Sequence, residues 1–166
     1  MTKKITTRFI AANGIVAAIY FALTMLSYPI AFGDINFRIS ELMVLLCYWR
    51  PDFTIGITLG CFMANIFSSI GPWDMLFGTA ATLIACLFVV TSPKLLIACL
   101  WPIVVNAFVV GFELNWLCGS NFWAMVGAVA IGEATVIIIS YIVWMIMWRK
   151  NLPGLLKAKR KLEPNW

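Results

Sequence analysis

The stretch Phe32–Leu46, FGDINFRISELMVLL, places an aspartate, an arginine and a glutamate (Asp34, Arg38, Glu41) immediately ahead of an apolar run. How it is read depends on what surrounds it. Of the 166 residues, 63% are hydrophobic and 11% charged, and the mean hydropathy is +0.95. An average soluble domain is about 25% charged. A soluble chain of this length needs far more polar surface, so the composition indicates an integral membrane protein. Arg38 and Glu41 therefore stand at the lip of a hydrophobic segment, where charge is costly and needs a reason.

Working outward, apolar runs and polar breaks predict an all-α integral membrane protein. The expected fold is a bundle of six transmembrane helices forming one membrane domain over 1–166. The spans are expected at about 9–28, 36–49, 53–70, 75–90, 95–112 and 122–148, followed by a basic tail over 149–166. A helix needs about 20 apolar residues to cross the hydrocarbon. The second segment is too short alone, since twelve helical residues reach only about 18 Å. It must begin earlier or end below the surface, and either way Arg38 and Glu41 lie at depth. The basic start MTKKITTRF precedes a long apolar segment without a convincing cleavage site, so it reads as the approach to a first span.

Lysine and arginine give the expected orientation. Lys3, Lys4, Arg8, Arg50, Lys94 and the run from Arg149 to Lys161 fall on one side of the predicted spans, and Arg38 alone on the other. By the positive-inside rule both termini are expected in the cytoplasm. The net charge of +5 is explained by this asymmetry and does not point to nucleic acid. Trp49, Trp73, Trp123, Trp144 and Trp148 fall near predicted interfaces, as an aromatic belt does. Four of the five cysteines (Cys47, Cys61, Cys86, Cys99) lie in apolar segments without metal-ligand spacing, and read as small buried residues.

The acids carry the functional signal. Asp34, Glu41, Asp74 and Glu113 gather at the predicted outer ends of spans, while Asp52 and Glu163 fall on the cytoplasmic side. Glu133 lies about 16 Å along the last helix, well inside the hydrocarbon, and an ionisable residue there is a functional candidate. Asn65 and Asn106 also sit within spans, completing an expected outward-opening pocket of carboxylates and amides. Arg38 and Glu41, three apart, share a helix face and are expected to pair, with Arg38 anchoring the first outer loop. No second mid-membrane acid or histidine is expected beside Glu133, which argues against a proton relay. The first span sets Gly14, Ala18 and Ala22 at four-residue spacing, a face suited to internal packing or to a partner membrane protein. There is no GxxxxGK[ST] phosphate loop, no histidine and no nucleophile constellation, so catalysis is not expected and no cofactor is called for.

These residues resemble the QueT family. FGDINFRISELMVLL is similar to its FG-x-x-x-FR-[IV]-SE-x-L signature. GCFMANIFSSIGPWDMLFGTAATLIA, PIVVNAFVVGFEL and VGAVAIGEATV resemble its later motifs, in order, across about 9–148. The resemblance implies the substrate-binding S-component of an energy-coupling factor (ECF) importer in the plasma membrane of a prokaryote. The implied substrate is a queuosine precursor, a 7-deazaguanine base such as 7-aminomethyl-7-deazaguanine. The implied partners are a transmembrane coupling subunit and two cytoplasmic ATPase subunits. Ala18-x-x-x-Ala22 matches the family's docking pattern, with Gly14 one step earlier. A 7-deazaguanine offers N1–H and an exocyclic amino group side by side, which one carboxylate accepts together. Glu133, the deepest acid, is expected to take that edge. Another acid of Glu41, Asp74 and Glu113 is expected to hold an aminomethyl cation, Asn65 or Asn106 the ring carbonyl or nitrogen, and Trp73, Trp116 or Phe37 to stack on the base, with Arg38 at the mouth. The alternative from another class is a self-sufficient proton-coupled carrier of a small nucleobase-like or vitamin-like solute. A membrane enzyme or scaffold is the third reading.

Overall fold

The computed structural model describes residues 6–31 and 37–149, apart from the side chains of Pro29, Trp148 and Arg149. Lys3, Lys4, Asp34 and the tail from residue 150, Glu163 included, lie outside the described residues. The described chain is helical: α1 (Thr7–Leu26), α2 (Tyr28–Ala31), a 3-10 turn (Ile39–Met43), α3 (Leu46–Trp49), a second 3-10 turn (Pro51–Phe53), α4 (Thr54–Asn65), α5 (Pro72–Thr91), α6 (Leu95–Cys118) and α7 (Phe122–Arg149). Four of these, α1, α5, α6 and α7, are long and apolar enough to cross a membrane.

Neighbouring helices follow chain order: α1 packs on α4, α4 on α5, α5 on α6, and α6 on α7. The 39–43 turn lies against both α1 and α7, and α3 lies against α5. The short second segment therefore joins the two ends of the row from within. Every residue from Val44 to Trp49 is buried. This corrects the expected span over 36–49. The segment does not face lipid as a continuous helix; it is broken into two short pieces in the protein interior. Non-helical backbone at membrane depth survives only where protein surrounds it, and burial on all sides supplies that condition here.

Two more boundaries differ from expectation. The span expected over 53–70 is helical only to Asn65, where turns lead to Gly71. Gly71 takes a left-handed φ of 69°, which suits glycine, and Pro72 then opens α5 with its ring in the first turn. α6, expected to end near Phe112, runs six residues further to Cys118 and closes on Gly119 in the left-handed conformation. Glu113 is thereby carried on a helix and not in a loop.

Packing between α1 and α4 rests on glycines. A Cβ on Gly56 would stand 2.7 Å from the Asn13 carbonyl oxygen, and one on Gly60 2.7 Å from that of Ala17. The Gly56-x-x-x-Gly60 spacing lets the two backbones approach closely. Asn13 seals the contact, its Oδ1 accepting from the Gly56 amide at 2.8 Å. The opposite face of α1 is exposed and carries Gly14, Ile15, Ala18, Ile19 and Ala22.

Trp49 and Trp144 do not form part of an aromatic belt: both are buried, with ring centroids 4.5 Å apart. Trp73 and Trp123 are exposed as a belt requires, and the Trp148 side chain is outside the described residues. Cys47, Cys61, Cys86 and Cys99 are buried free thiols, as expected. Between α3 and α4, Asp52 accepts from Arg50 Nε at 3.0 Å and Nη2 at 2.7 Å, and the guanidinium lies 4.5 Å above the Phe53 ring. The Asp52 hydrogen bonds push the Arg50 pKa up, which keeps this loop arginine charged.

Candidate functional site

The site is built on the turn that the opening stretch forms. Arg38 precedes it in extended backbone and is almost wholly buried. Its Nη2 donates to both oxygens of Asp74, at 3.3 and 3.2 Å. Asp74 sits in the first turn of α5, where a carboxylate is favoured by the helix N-terminus. The Asp74 carbonyl accepts from Asn65 Nδ2 at 3.0 Å, so the last residue of α4 is tied to the first turn of α5. Gly78 makes room for this contact: a Cβ there would stand 2.5 Å from Asp74 Oδ1 and 2.8 Å from Asn65 Nδ2.

Glu41 lies inside the turn and is buried. Its partner is Tyr20 of α1, whose hydroxyl donates to Oε1. The expected Arg38–Glu41 pairing is thus replaced by two pairings in different directions, Arg38 to α5 and Glu41 to α1. The reason is the backbone: a turn entered from an extended residue does not place positions 38 and 41 on one helix face. Two more bonds fasten the turn. The Thr24 and Ser40 hydroxyls lie 2.7 Å apart, and Ser140 of α7 donates to the Leu42 carbonyl at 2.7 Å. Below, Cys61 Sγ lies 3.2 Å from the Thr82 hydroxyl.

Glu133 on α7 is buried, and its Oε1 accepts from Asn106 Nδ2 of α6 at 3.0 Å. Glu113, two turns beyond Asn106 on α6, is also buried. Arg38 is the shared electrostatic neighbour of Glu41, Glu113 and Glu133, and Glu41 is also an electrostatic neighbour of Glu133. All seven of the expected polar site residues are buried: Glu41, Asp74, Glu113 and Glu133 are electrostatic neighbours of Arg38, and Asn65 and Asn106 are bonded to Asp74 and Glu133. The expectation that Glu133 lacks a second acid at depth is corrected: Glu41 and Tyr20 are buried in the same network, because the broken second segment lies inside the bundle.

Among these site residues the hydrogen-bond balance is one-sided. Glu41 Oε2, Glu133 Oε2, Asn65 Oδ1 and both oxygens of Glu113 are buried without a hydrogen-bond partner. All are acceptors. Thr82 stands near Glu41 but not within bonding geometry of Oε2. A buried polar group without a partner costs free energy, and several together describe a site complementary to a donor-rich or cationic molecule. Trp73 is not among them. It is exposed, its ring 5.1 Å from Trp116, which with Phe77 and Phe112 forms an aromatic cluster on the outer surface of α5 and α6. Phe37 is half-buried beside Arg38 in sequence. Gly14, Ala18 and Ala22 are all exposed, and a Cβ on Gly14 would meet nothing within 4 Å.

Sequence reasoning missed Tyr20, Thr24, Cys61, Thr82 and Ser140. A signal existed for α1: Asn13, Ala17, Tyr20 and Thr24 recur at spacings of a single helix face, and the structure buries that face.

Residues 10–149 match the family described as QueT transporter. The chain is similar to the protein named queuosine precursor transporter QueT of Lactococcus lactis subsp. cremoris (strain MG1363), at 35% identity over an 85-residue alignment that covers 49% of each chain. The aligned part thus spans about half the length of that curated relative. No solved structure matches the chain. A match over residues 10–149 covers most of the sequence and all the helices that build the site: the chain belongs to the QueT transporter family.

Proposed function

We propose that this transporter-family protein captures a queuosine precursor, a 7-deazaguanine base such as 7-aminomethyl-7-deazaguanine, as the substrate-binding S-component of an ECF importer. In this reading the chain is one membrane domain of six segments, with both termini cytoplasmic. Arg38, Glu41, Asn65, Asp74, Asn106, Glu113 and Glu133 form or support the pocket, and Trp73 flanks its mouth. A transmembrane coupling subunit docks on the Gly14, Ala18 and Ala22 face, and two ATPase subunits supply the energy that a chain without a phosphate loop does not. The observation that carries the reading is the excess of buried, unpartnered acceptors around Arg38. A protonated aminomethyl-deazaguanine brings ring N–H groups, an exocyclic amine and an ammonium to that excess, and each acceptor gains a partner without a new charge being stranded.

The test is calorimetric titration of the purified protein with 7-aminomethyl-7-deazaguanine, its 7-cyano analogue, guanine and riboflavin. Deazaguanine binding without riboflavin binding is expected, and Glu133→Gln is expected to weaken it at least about tenfold, because one charge-assisted hydrogen bond is lost. Riboflavin binding in place of a deazaguanine overturns the substrate assignment. The string Glu133, Glu41 and Tyr20 favours one second reading, a self-sufficient proton-coupled carrier. That reading requires uptake by the protein alone in liposomes under a pH gradient, where an S-component gives none.

A further inference from the structure

The buried carboxylates differ in how many oxygens they can offer, and the difference assigns their roles. Asp74 has both oxygens on Arg38, and Asp52 has both on Arg50. Glu41 has Oε1 taken by Tyr20, and Glu133 has Oε1 taken by Asn106. Each of these two glutamates retains one open oxygen, Oε2. Glu113 is alone among the described acids in having two open oxygens, and it is fully buried at 0% exposure. A carboxylate with both oxygens open receives two parallel donors, whereas one with a single open oxygen receives one. Arg38 and Asp74 are its charged neighbours, so the open pair belongs to the same polar interior and not to a separate surface.

We infer that Glu113 is the specificity-determining residue that reads a paired-donor edge, an amide N–H beside an exocyclic amino group on a fused bicyclic base. Glu133 and Glu41 then each accept one further donor. The inference rests on the binding reading given above and moves the paired edge from Glu133, where depth alone places it, to Glu113. The amide of Asn106 is the physical reason. It already fills one Glu133 oxygen, and a two-point contact at Glu133 would require that bond to break, leaving a buried amide unpaired. No such bond has to break at Glu113.

The experiment compares two probes: 7-aminomethyl-7-deazaguanine and the matching 7-aminomethyl-7-deazahypoxanthine, which lacks only the exocyclic amino group. Wild-type protein is expected to prefer the first by about ten- to a hundredfold, the discrimination of a good bidentate pair. Glu113→Gln is expected to bring that ratio close to one, because the amide offers one acceptor and one donor. Glu133→Gln and Glu41→Gln are expected to weaken both probes and keep the ratio. If Glu113→Gln does not purify folded, Glu113→Asp serves: it keeps two oxygens and is expected to retain the preference with weaker binding of both probes. Loss of the ratio in Glu133→Gln with its retention in Glu113→Gln overturns the inference and returns the edge to Glu133. Equal binding of both probes by wild-type protein also overturns it while sparing the binding reading. Binding of neither probe by folded wild-type protein overturns both.

Discussion

Residues 38–41 and residues 44–49 come from one short stretch, and both lie largely buried, yet their interiors are built by opposite rules. From Val44 to Trp49 the side chains are apolar or aromatic, and they pack on α5 and on Trp144. Arg38, Ser40 and Glu41 are charged or polar, and they reach to α1, α5 and the neighbourhood of α7 in separate directions. The lower half is closed by packing. The upper half is held by polar bonds that leave acceptors open. One interior segment thus separates a part that holds the bundle from a part that, in the function proposed above, receives a ligand, and substitutions in the two halves should fail in different ways.

The largest effect is expected for Arg38→Ala. It leaves Asp74 buried without its cation, and breaking a buried pair costs about 3–5 kcal/mol. Thermal unfolding in detergent is expected to show this loss, and adding Asp74→Asn is expected to recover part of it. A wild-type melting temperature in Arg38→Ala breaks the comparison at its upper half. Next comes Leu45→Ala, with about 2–5 kcal/mol lost from transfer and cavity terms. Here the melting temperature should fall while the Kd for a deazaguanine at low temperature stays near wild type; a parallel loss of affinity shows that the halves are not separable. Smaller still is Tyr20→Phe, which retains the ring and removes one hydrogen bond to Glu41, costing about 1–3 kcal/mol. In combination with Glu41→Gln the losses in affinity are expected to be non-additive, since both substitutions act on one carboxylate. Simple additivity would place Tyr20 outside the site and narrow the polar half to α5, α6 and α7.

Much of this was readable from residue order. Four long apolar spans follow from length and composition alone, because a helix that crosses lipid has nowhere to hide its polar groups. The acids and amides that gather around Arg38 were also visible, since any such residue inside an apolar run needs an internal partner. What the sequence does not carry is direction. Arg38 and Glu41 look like partners at a spacing of three, and only the extended backbone at Arg38 sends them to different helices. The second segment was legible as too short, but not as interior, because its burial is supplied by α1, α5 and α7, far away in the chain. Tyr20 could be placed on the polar face of α1, but a tyrosine in an apolar span resembles an interfacial anchor until the residue that it reaches is known.

The helix lengths carry a consequence for the membrane itself. At 1.5 Å per residue, α6 and α7 with 24 and 28 residues are about 36 and 42 Å long, while α4 with twelve is about 18 Å. α4 nevertheless presents Ile55, Leu59, Phe62 and Met63 outward, and Ile66 and Phe67 extend that surface past its end. The apolar wall is therefore tall at α6 and α7 and low at α4. A bilayer of about 30 Å meets such a wall by thinning beside α4 and by tilting the long helices, at a cost of fractions of a kcal/mol per Å of mismatch. Lipid chain length would thus act as a mechanical load at α4, the neighbour of the helix whose other face carries the exposed small residues.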